Sequence, residues 1–384
     1  MSRRSPILLV LLALLLAAGC GDQDGEDSSP ETAPESDATD DTPADDTPAD
    51  DPDDAATDDA DGLEPVTVTL LSHDSFDVSD EVLATFAAET GIEVDIVQIG
   101  DAGSALNQTI LTRDHPQGDL LFGVDNAFLS RALDEDLFVP YRSPLLDAVP
   151  AEFVLDDQHQ VTPVDYGDVC LNYDVAWFDE AGLPVPDDLA DLTDDAYRGL
   201  LAVMNPATSS PGLAFLLATV QRFGEDGYLD FWEALRDNDM IVTDGWSEAY
   251  YDHFSGASDG DRPLVVSYAS SPPAEVFFAD PQPEEAPTGV IEASCFRQIE
   301  FVGILQGTEH EEAAQAVVDL MLDVPFQEDV PLTMFVFPVN QDAALPDVFV
   351  EHAVVPDDPF VLDPDTIGEH RDDWIEAWTQ TVLR

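Results

Sequence analysis

The chain has 384 residues and a formal net charge of −70 at pH 7, because 82 residues are Asp or Glu and only 12 are Lys or Arg. This charge excludes a nucleic-acid-binding protein, since phosphate backbones are bound by clustered cations. Two interpretations of the acidity stay open: a solvated surface suited to a saline habitat, which we favour, and an acidic cleft that attracts a cationic ligand.

The first 20 residues have the pattern of a bacterial lipoprotein signal. Arg3 and Arg4 precede an apolar run over residues 6–18, which is too short to remain as a transmembrane helix. The run ends in Leu-Ala-Ala-Gly-Cys, with small residues before Cys20. We predict a signal peptide over residues 1–19, lipidation of Cys20 and an extracytoplasmic location on the outer face of the cell membrane. An ordinary secretory signal with an unrelated cysteine is the alternative.

The segment after Cys20 is acidic and rich in proline. Residues 21–64 have no Lys or Arg and contain two copies of Asp-Thr-Pro-Ala-Asp. With so few apolar side chains the segment cannot offset its chain entropy by burial, and its like charges extend it. We predict that residues 20–64 are a disordered, lipid-anchored stalk.

Strands and helices are predicted to alternate from residue 66 onward. Residues 66–71, 92–99 and 119–123 have the apolar pattern of strands, whereas residues 80–90 and 103–113 have helical spacing. Strand–helix–strand alternation of this length is typical of a parallel sheet in an α/β fold.

The second half of the chain repeats this alternation. Strands are predicted over residues 199–204 and 264–268, helices over residues 212–223 and 228–237, and a short helix after Pro272. Two α/β lobes leave a cleft between the loops at the carboxyl ends of their strands.

Two cysteines, Cys170 and Cys295, remain after Cys20. An extracytoplasmic compartment permits a disulfide, and we predict that these two form one. Two buried free thiols are the alternative. The histidines and cysteines have no metal-site spacing, so no metal site is expected.

Six sequence blocks follow predicted strands and carry a family resemblance. They are His-Asp-Ser-Phe at 73–76, Gly-Val-Asp-Asn at 123–126, Asp-Tyr-Gly at 165–167, Asn-Pro-Ala-Thr-Ser-Ser-Pro-Gly at 205–212, Gly-Trp-Ser-Glu-Ala-Tyr at 245–250 and Ser-Tyr-Ala-Ser-Ser-Pro at 267–272. In this order and spacing the chain resembles the thiamine-binding subunits of bacterial thiamine ABC transporters, over essentially the whole folded part.

The resemblance implies a type II periplasmic-binding fold, with two α/β lobes joined by crossover strands around a ligand cleft. It implies a first lobe over residues 65–168 and 291–342, a second lobe over residues 169–290, and a C-terminal helical segment, residues 343–384, that packs on the second lobe. It also implies thiamine as the transported ligand, no cofactor, and an ABC permease with its ATPase as partners. We expect a monomer.

Thiamine has a cationic thiazolium ring, an aromatic aminopyrimidine and a hydroxyethyl tail that can carry phosphate. Aromatic faces and carboxylates suit the cation, whereas hydroxyls and free N–H groups at a helix start suit the tail or its phosphate. The expected ligand-binding residues are Asp74, Asp101, Ala102, Asp125, Ser209, Ser210, Trp246, Tyr250, Tyr268, Ala269, Ser270, Ser271 and Phe335.

Each of these residues also has a purely structural interpretation. The serines and aspartates could cap helices or turns, and Trp246 could be a core residue. The chain departs from the family at Ala102, where relatives often have glycine, and at Phe335, where some have tryptophan.

The alternatives are an importer subunit for a polyamine, ferric ion or a small anion, and an enzyme. A polyamine would share an acidic, aromatic cleft, and ferric ion would use paired tyrosines, for which the blocks offer only Tyr250 and Tyr251. Some relatives are thiaminase-like enzymes with a catalytic cysteine. Neither Cys170 nor Cys295 is predicted at a helix N-terminus, where a thiolate is stabilised, so no enzyme is expected.

Overall fold

The computed structural model describes residues 66–384. The predicted signal peptide, the lipidation site at Cys20 and the acidic stalk lie outside the described residues. Over residues 66–384, no helix combines the length and the apolar character that crossing a bilayer requires.

Ten strands within residues 66–384 form one mixed sheet. They are β1 (Val66–Ser72), β2 (Ile92–Gln98), β3 (Leu120–Asp125), β4 (Phe138–Val139), β5 (Thr162–Asp174), β6 (Leu201–Met204), β7 (Ile241–Thr243), β8 (Leu264–Tyr268), β9 (Thr288–Leu305) and β10 (Phe337–Pro338). Their order is β2-β1-β3-β9-β5-β8-β6-β7, with β4 beside β9 and β10 beside β5. The outer strands on each side pair in parallel, whereas β9 pairs antiparallel with β3 and β5, and β5 with β8.

Twelve helices of the described chain cover the sheet. They are α1 (Asp80–Thr90), α2 (Ala102–Thr112), α3 (Leu129–Asp134), α4 (Val175–Ala181), α5 (Ser210–Phe223), α6 (Tyr228–Asp237), α7 (Trp246–Glu248), α8 (Pro272–Phe277), α9 (Glu311–Leu322), α10 (Val324–Thr333), α11 (Asp347–His352) and α12 (Pro364–Val382). Short 3-10 turns occur at Pro144–Ala148, Ala151–Phe153, Leu189–Thr193 and Asp195–Tyr197, and a π turn follows α7 at Ala249–His253. All the predicted strands and helices are confirmed, and where both ends were predicted they differ by at most two residues.

Helix α1 illustrates how local sequence sets the ends of an element. At its start the Ser79 side chain accepts a hydrogen bond from the backbone N–H of Val82. At its end Gly91 has φ of +71°, a left-handed conformation that glycine adopts without steric cost. The observed helix therefore has the bounds that the sequence predicts.

Strands β5 and β9 join two halves of the sheet. Residues 300–304 of β9 pair with β3, while residues 169–173 of β5 pair with β8. The sheet of β1, β2 and β3 (lobe 1) thus continues through two crossover strands into the sheet of β6, β7 and β8 (lobe 2). This arrangement confirms the predicted type II periplasmic-binding fold, whereas the residue bounds of the lobes stay a prediction.

Cys170 in β5 and Cys295 in β9 form a disulfide across the two crossover strands. It lies at a shift in the β5–β9 register between Val169 and Leu171. The pairing is the one predicted from the sequence, and it ties the crossover strands together where they pass between the lobes.

Helix α12 packs more widely than the sequence indicates. It packs against α6 of lobe 2, where Trp378 is fully buried and meets Trp232 edge-on, with ring centroids 5.5 Å apart. It also packs against α3 of lobe 1, where the Arg371 guanidinium lies 5.4 Å from the centre of the Phe128 ring. Helix α12 therefore contacts elements of both lobes.

Candidate ligand-binding site

A cavity of about 400 Å³ lies between the two lobes. This volume is within the range of about 300–1,000 Å³ that small-molecule sites occupy. Lobe 1 and the segments that return to it contribute His73, Asp74, Ser75, Phe76, Asp77, Gln98, Asp101, Ala102, Glu300, Thr333, Met334, Phe335 and Val336. Lobe 2 contributes Ser210, Pro211, Trp246, Ser247, Tyr250, Tyr251, Tyr268, Ser271, Ala274 and Phe278.

An aromatic wall from lobe 2 forms one side of the cavity. Trp246 stacks on Tyr250 with ring centroids 4.9 Å apart, while Tyr251 and Tyr268 meet Trp246 edge-on at 5.5 and 6.3 Å. The indole N–H of Trp246 donates to Ser267 Oγ at 2.9 Å, which fixes the orientation of the ring. Such a wall presents electron-rich faces to a cation or an aromatic ring.

The tyrosines of this wall are held in their neutral form. Tyr250 donates its hydroxyl hydrogen to Glu275 Oε1 at 3.0 Å. Burial, followed by the charge of Glu275, raises the pKa of Tyr250 well above its ordinary value, and the same two causes raise the pKa of Tyr251. The wall therefore offers π faces in preference to phenolate oxygens.

Carboxylates and one histidine form the opposite side. Asp74, Asp101 and Glu300 line the cavity, and His73 Nε2 lies 3.4 Å from Glu300 Oε1. The His73 ring is seated against Gly123, where an added Cβ would come within 2.4 Å of the ring. Gly123 also has φ of +100°, so glycine is required at this position on both grounds.

Asp101 bridges the two lobes. Its carboxylate caps α2 by accepting from Ala102 N at 2.7 Å, and it also accepts from Ser210 N at 3.1 Å and Trp246 N at 3.0 Å. Ser210 and Trp246 belong to lobe 2, so both bonds cross the cleft. Burial raises the pKa of Asp101, and the two backbone donors oppose that rise.

Two further contacts close the cavity at its edges. Ser75 Oγ lies 3.3 Å from Ser247 Oγ on the other lobe. Phe335 packs against Phe278, with ring centroids 5.5 Å apart. Phe335 has φ of +55°, an uncommon conformation for a bulky residue that is typical of functional sites.

The start of α5 differs from the anion site that the sequence predicts. Ser210 N donates to Asp101, Gly212 N to Ser209 Oγ and Leu213 N to Ser209 O, while Pro211 has no N–H. The N–H groups of the first turn are therefore already paired, and a carboxylate lies beside them. The structure does not support a phosphate site at this helix end.

Of the residues predicted to bind ligand, nine line the cavity: Asp74, Asp101, Ala102, Ser210, Trp246, Tyr250, Tyr268, Ser271 and Phe335. Asp125, Ser209, Ala269 and Ser270 are fully buried outside its lining. Asp125 accepts from Ala127 N and Phe128 N at 3.0 Å and from the Ser210 hydroxyl, and Ser209 caps α5. For these two, the capping alternative describes the structure and the predicted ligand contact does not.

Several lining residues are not among the predicted ligand-binding residues, above all His73, Glu300, Tyr251 and Phe278. His73 and Tyr251 flank residues that were singled out. Glu300 carried a usable signal, because a charged residue inside an apolar strand is rarely buried without a role. Within residues 66–384, no group of three or more His, Cys, Asp or Glu side chains is arranged to hold a metal ion.

Comparisons with known proteins agree with this architecture. Residues 116–355 match the family model described as bacterial extracellular solute-binding protein. The thiamine-binding periplasmic proteins of Salmonella typhimurium and Escherichia coli are each 27% identical to this chain, over 83% of it and 94% of their own lengths. A solved structure titled periplasmic thiamin binding protein has a TM-score of 0.73 at 26% identity, covering 83% of this chain and 96% of that one.

The family model spans well over half of the chain, and the two-lobed fold with a cleft cavity is the architecture that such a protein requires. The chain therefore belongs to the bacterial extracellular solute-binding proteins.

Proposed function

We propose that this protein captures thiamine outside the cytoplasm and delivers it to the permease and ATPase of an ABC importer. One observation carries the proposal: an aromatic wall built on Trp246 and Tyr250 faces a carboxylate-lined side across a cavity of about 400 Å³. A flat cation with two aromatic rings satisfies both sides at once. Two relatives and one solved structure that align at 26–27% identity over 94–96% of their own lengths are named for thiamine binding, which supports the same ligand.

The alternatives fit this cavity less well. Ferric ion is usually held by ionised oxygen ligands, and burial raises the pKa of both Tyr250 and Tyr251. A thiaminase-like enzyme needs a free thiol, but Cys170 and Cys295 are joined to each other. A polyamine would use the carboxylates and leave the stacked aromatic faces without a planar partner. We propose a binding protein rather than an enzyme, with thiamine as cargo and no resident cofactor.

The anchoring of the protein is part of the proposal. A lipid on Cys20 and the acidic stalk over residues 20–64 would tether one folded copy to the outer face of the membrane. Mass spectrometry of the membrane fraction should find diacylglycerol on Cys20. A Cys20→Ser variant should be released from the membrane, and retention of that variant would contradict the anchor.

The ligand is tested by titrating the mature chain with thiamine, thiamine phosphates, spermidine and ferric ion while intrinsic fluorescence is recorded. Thiamine should quench the fluorescence, because Trp246 would stack on it. Trp246→Ala should weaken thiamine binding by about 1–3 kcal/mol, as expected when an aromatic anchor with a cation–π contact is removed.

Trp177→Ala is the matched control, since Trp177 lies in α4 and is not part of the cavity lining. It should leave the affinity unchanged. Tighter binding of spermidine or ferric ion than of thiamine would overturn the proposed function. Equal losses in the two tryptophan variants would overturn the role of Trp246.

A further inference from the structure

Three carboxyl groups lie side by side on the adjacent strands β3, β9 and β5, next to the cavity. Glu300 in β9 is in register with Asp125 in β3 on one side and with Asp165 in β5 on the other. Cβ atoms of directly opposed residues lie about 4.5–5.5 Å apart, so neighbouring carboxyl groups in such a row interact. Asp125 and Asp165 are fully buried, and Glu300 is the member of the row that lines the cavity.

The three groups differ in the donors that reach them. Asp125 accepts from two backbone N–H groups and from the hydroxyl of Ser210. Neither oxygen of Asp165 receives a hydrogen bond from any donor in residues 66–384. Asp165 faces Glu300 across the β5–β9 register, and two neighbouring buried carboxyl groups without a donor favour one proton between them. Burial and the neighbouring Glu300 raise the pKa of Asp165 well above its ordinary value.

Basic groups near this pair are few. His73 Nε2 lies 3.4 Å from Glu300 Oε1. Burial lowers the pKa of His73, but Glu300 and the neighbouring Asp101 and Asp74 raise it above its ordinary value. Arg297 of the same strand is paired with Asp168 at 2.7 Å. The other titratable groups nearby are acidic: Asp125 in β3 and Tyr268 in β8 face Glu300, whereas Asp74 after β1 and Asp101 at the start of α2 face His73.

We propose that Glu300 is the counter-ion of the ligand's cationic ring, and that the proton shared by Glu300 and Asp165 leaves to solvent when that cation binds. The inference rests on the proposed function. Before binding, the pair holds one proton and one negative charge. After binding it holds two negative charges, which face the cationic ring and His73, and the released proton goes to water or buffer. Charge balances with no further reactant.

Asp165 is a positioning residue in this scheme, because it holds the proton without lining the cavity. Proton and cation compete for the same carboxyl groups, so affinity for a cationic ligand should rise with pH. A neutral ligand of the same shape does not displace the proton. The pair therefore selects for the positive charge as well as for the shape of the ligand.

Calorimetry of the full mature chain tests the proton exchange. Thiamine is titrated near neutral pH in buffers of different ionisation enthalpy, where the slope of the observed enthalpy gives the protons released. We expect release approaching one proton per thiamine. A neutral isostere, with carbon in place of the thiazolium nitrogen, should release none and bind about 10-fold more weakly or worse.

Variants assign the effect to the pair. Asp165→Asn should still bind thiamine, with proton release lost and a flattened dependence of affinity on pH. Glu300→Gln should weaken thiamine binding by about 10-fold or more while changing affinity for the neutral isostere only slightly. Asp119→Asn is the control, because Asp119 is a buried carboxyl group that does not line the cavity.

The outcomes separate this inference from the proposed function. If the unmodified chain does not bind thiamine, the proposed function fails and the inference fails with it. If thiamine binds without proton release, or if the unmodified chain binds the isostere as tightly, the inference fails while the proposed function stands. Proton release and affinity for the isostere are both measured on the unmodified chain. The test therefore stays decisive even if the Glu300→Gln variant does not fold.

Discussion

Asp101 is the residue through which we expect the two lobes to be held together around the ligand. Asp101→Asn keeps one acceptor oxygen for Ala102 N and Ser210 N, but turns an N–H₂ group toward Trp246 N. One charge-assisted bond across the cleft is lost, and a buried donor is left without an acceptor. A hydrogen bond to a charged group contributes about 1.5–3 kcal/mol, so the closed form should be destabilised by about that amount.

This loss should weaken thiamine binding by about 10- to 150-fold, mainly through faster dissociation. Thermal stability of the ligand-free chain should change little, since Asn caps a helix about as well as Asp does. Calorimetry would give the affinity, stopped-flow fluorescence the dissociation rate, and X-ray scattering the closure of the lobes.

Asp323→Asn is the matched control, because Asp323 caps α10 through Val324 N in the same way but makes no bond across the cleft. It should leave affinity and dissociation unchanged. Equal and small effects of the two variants on affinity would refute the reasoning that bonds to Asp101 hold the lobes closed.

Three further predictions concern the helix start, the disulfide and pH. Joint Ser209→Ala and Ser210→Ala substitution should lower the free energy of unfolding by about 1 kcal/mol through the lost cap. Paired titrations should show that it weakens the binding of thiamine and of thiamine phosphate to a similar degree. A loss of affinity confined to thiamine phosphate would instead indicate an anion site at this helix start. Mass spectrometry of the native oxidised protein should show no alkylation of Cys170 or Cys295, and full alkylation would rule the bridge out. Replacing both cysteines with alanine should lower the free energy of unfolding by up to ~4–5 kcal/mol. Burial raises the pKa of Asp125 in the folded chain to about 7, whereas an unfolded Asp titrates near its ordinary value of about 4. The folded chain therefore binds this proton more tightly, which stabilises it fully below about pH 4, and the stabilisation is lost as the pH rises to about 7. Denaturation of the ligand-free chain across this range should show the loss relative to Asp125→Asn, and parallel curves would contradict it.

The sequence by itself determined the local elements and the class of protein. Apolar periodicity and caps such as Ser79 and Gly91 act over a few residues, so the order and the bounds of the strands and helices followed from them. Alternating strands and helices with two cysteines and six ordered blocks were enough to predict two lobes, a cleft and the Cys170–Cys295 bridge. The aromatic wall was predicted as well, because Trp246, Tyr250 and Tyr268 lie in recognisable blocks.

Only the tertiary structure decided which polar groups face the ligand. Asp125 and Ser209 both lie in recognised blocks, but in the folded chain both are fully buried and their oxygens cap backbone N–H groups. Glu300 enters the cavity because β9 runs between β3 and β5, a pairing of residues more than a hundred positions apart that no local pattern encodes. A carboxyl group can cap a helix, bond to the other lobe or face the ligand as a counter-ion. Which of these it does depends on the donors that the folded chain brings to it, and those donors come from the other lobe or from neighbouring strands.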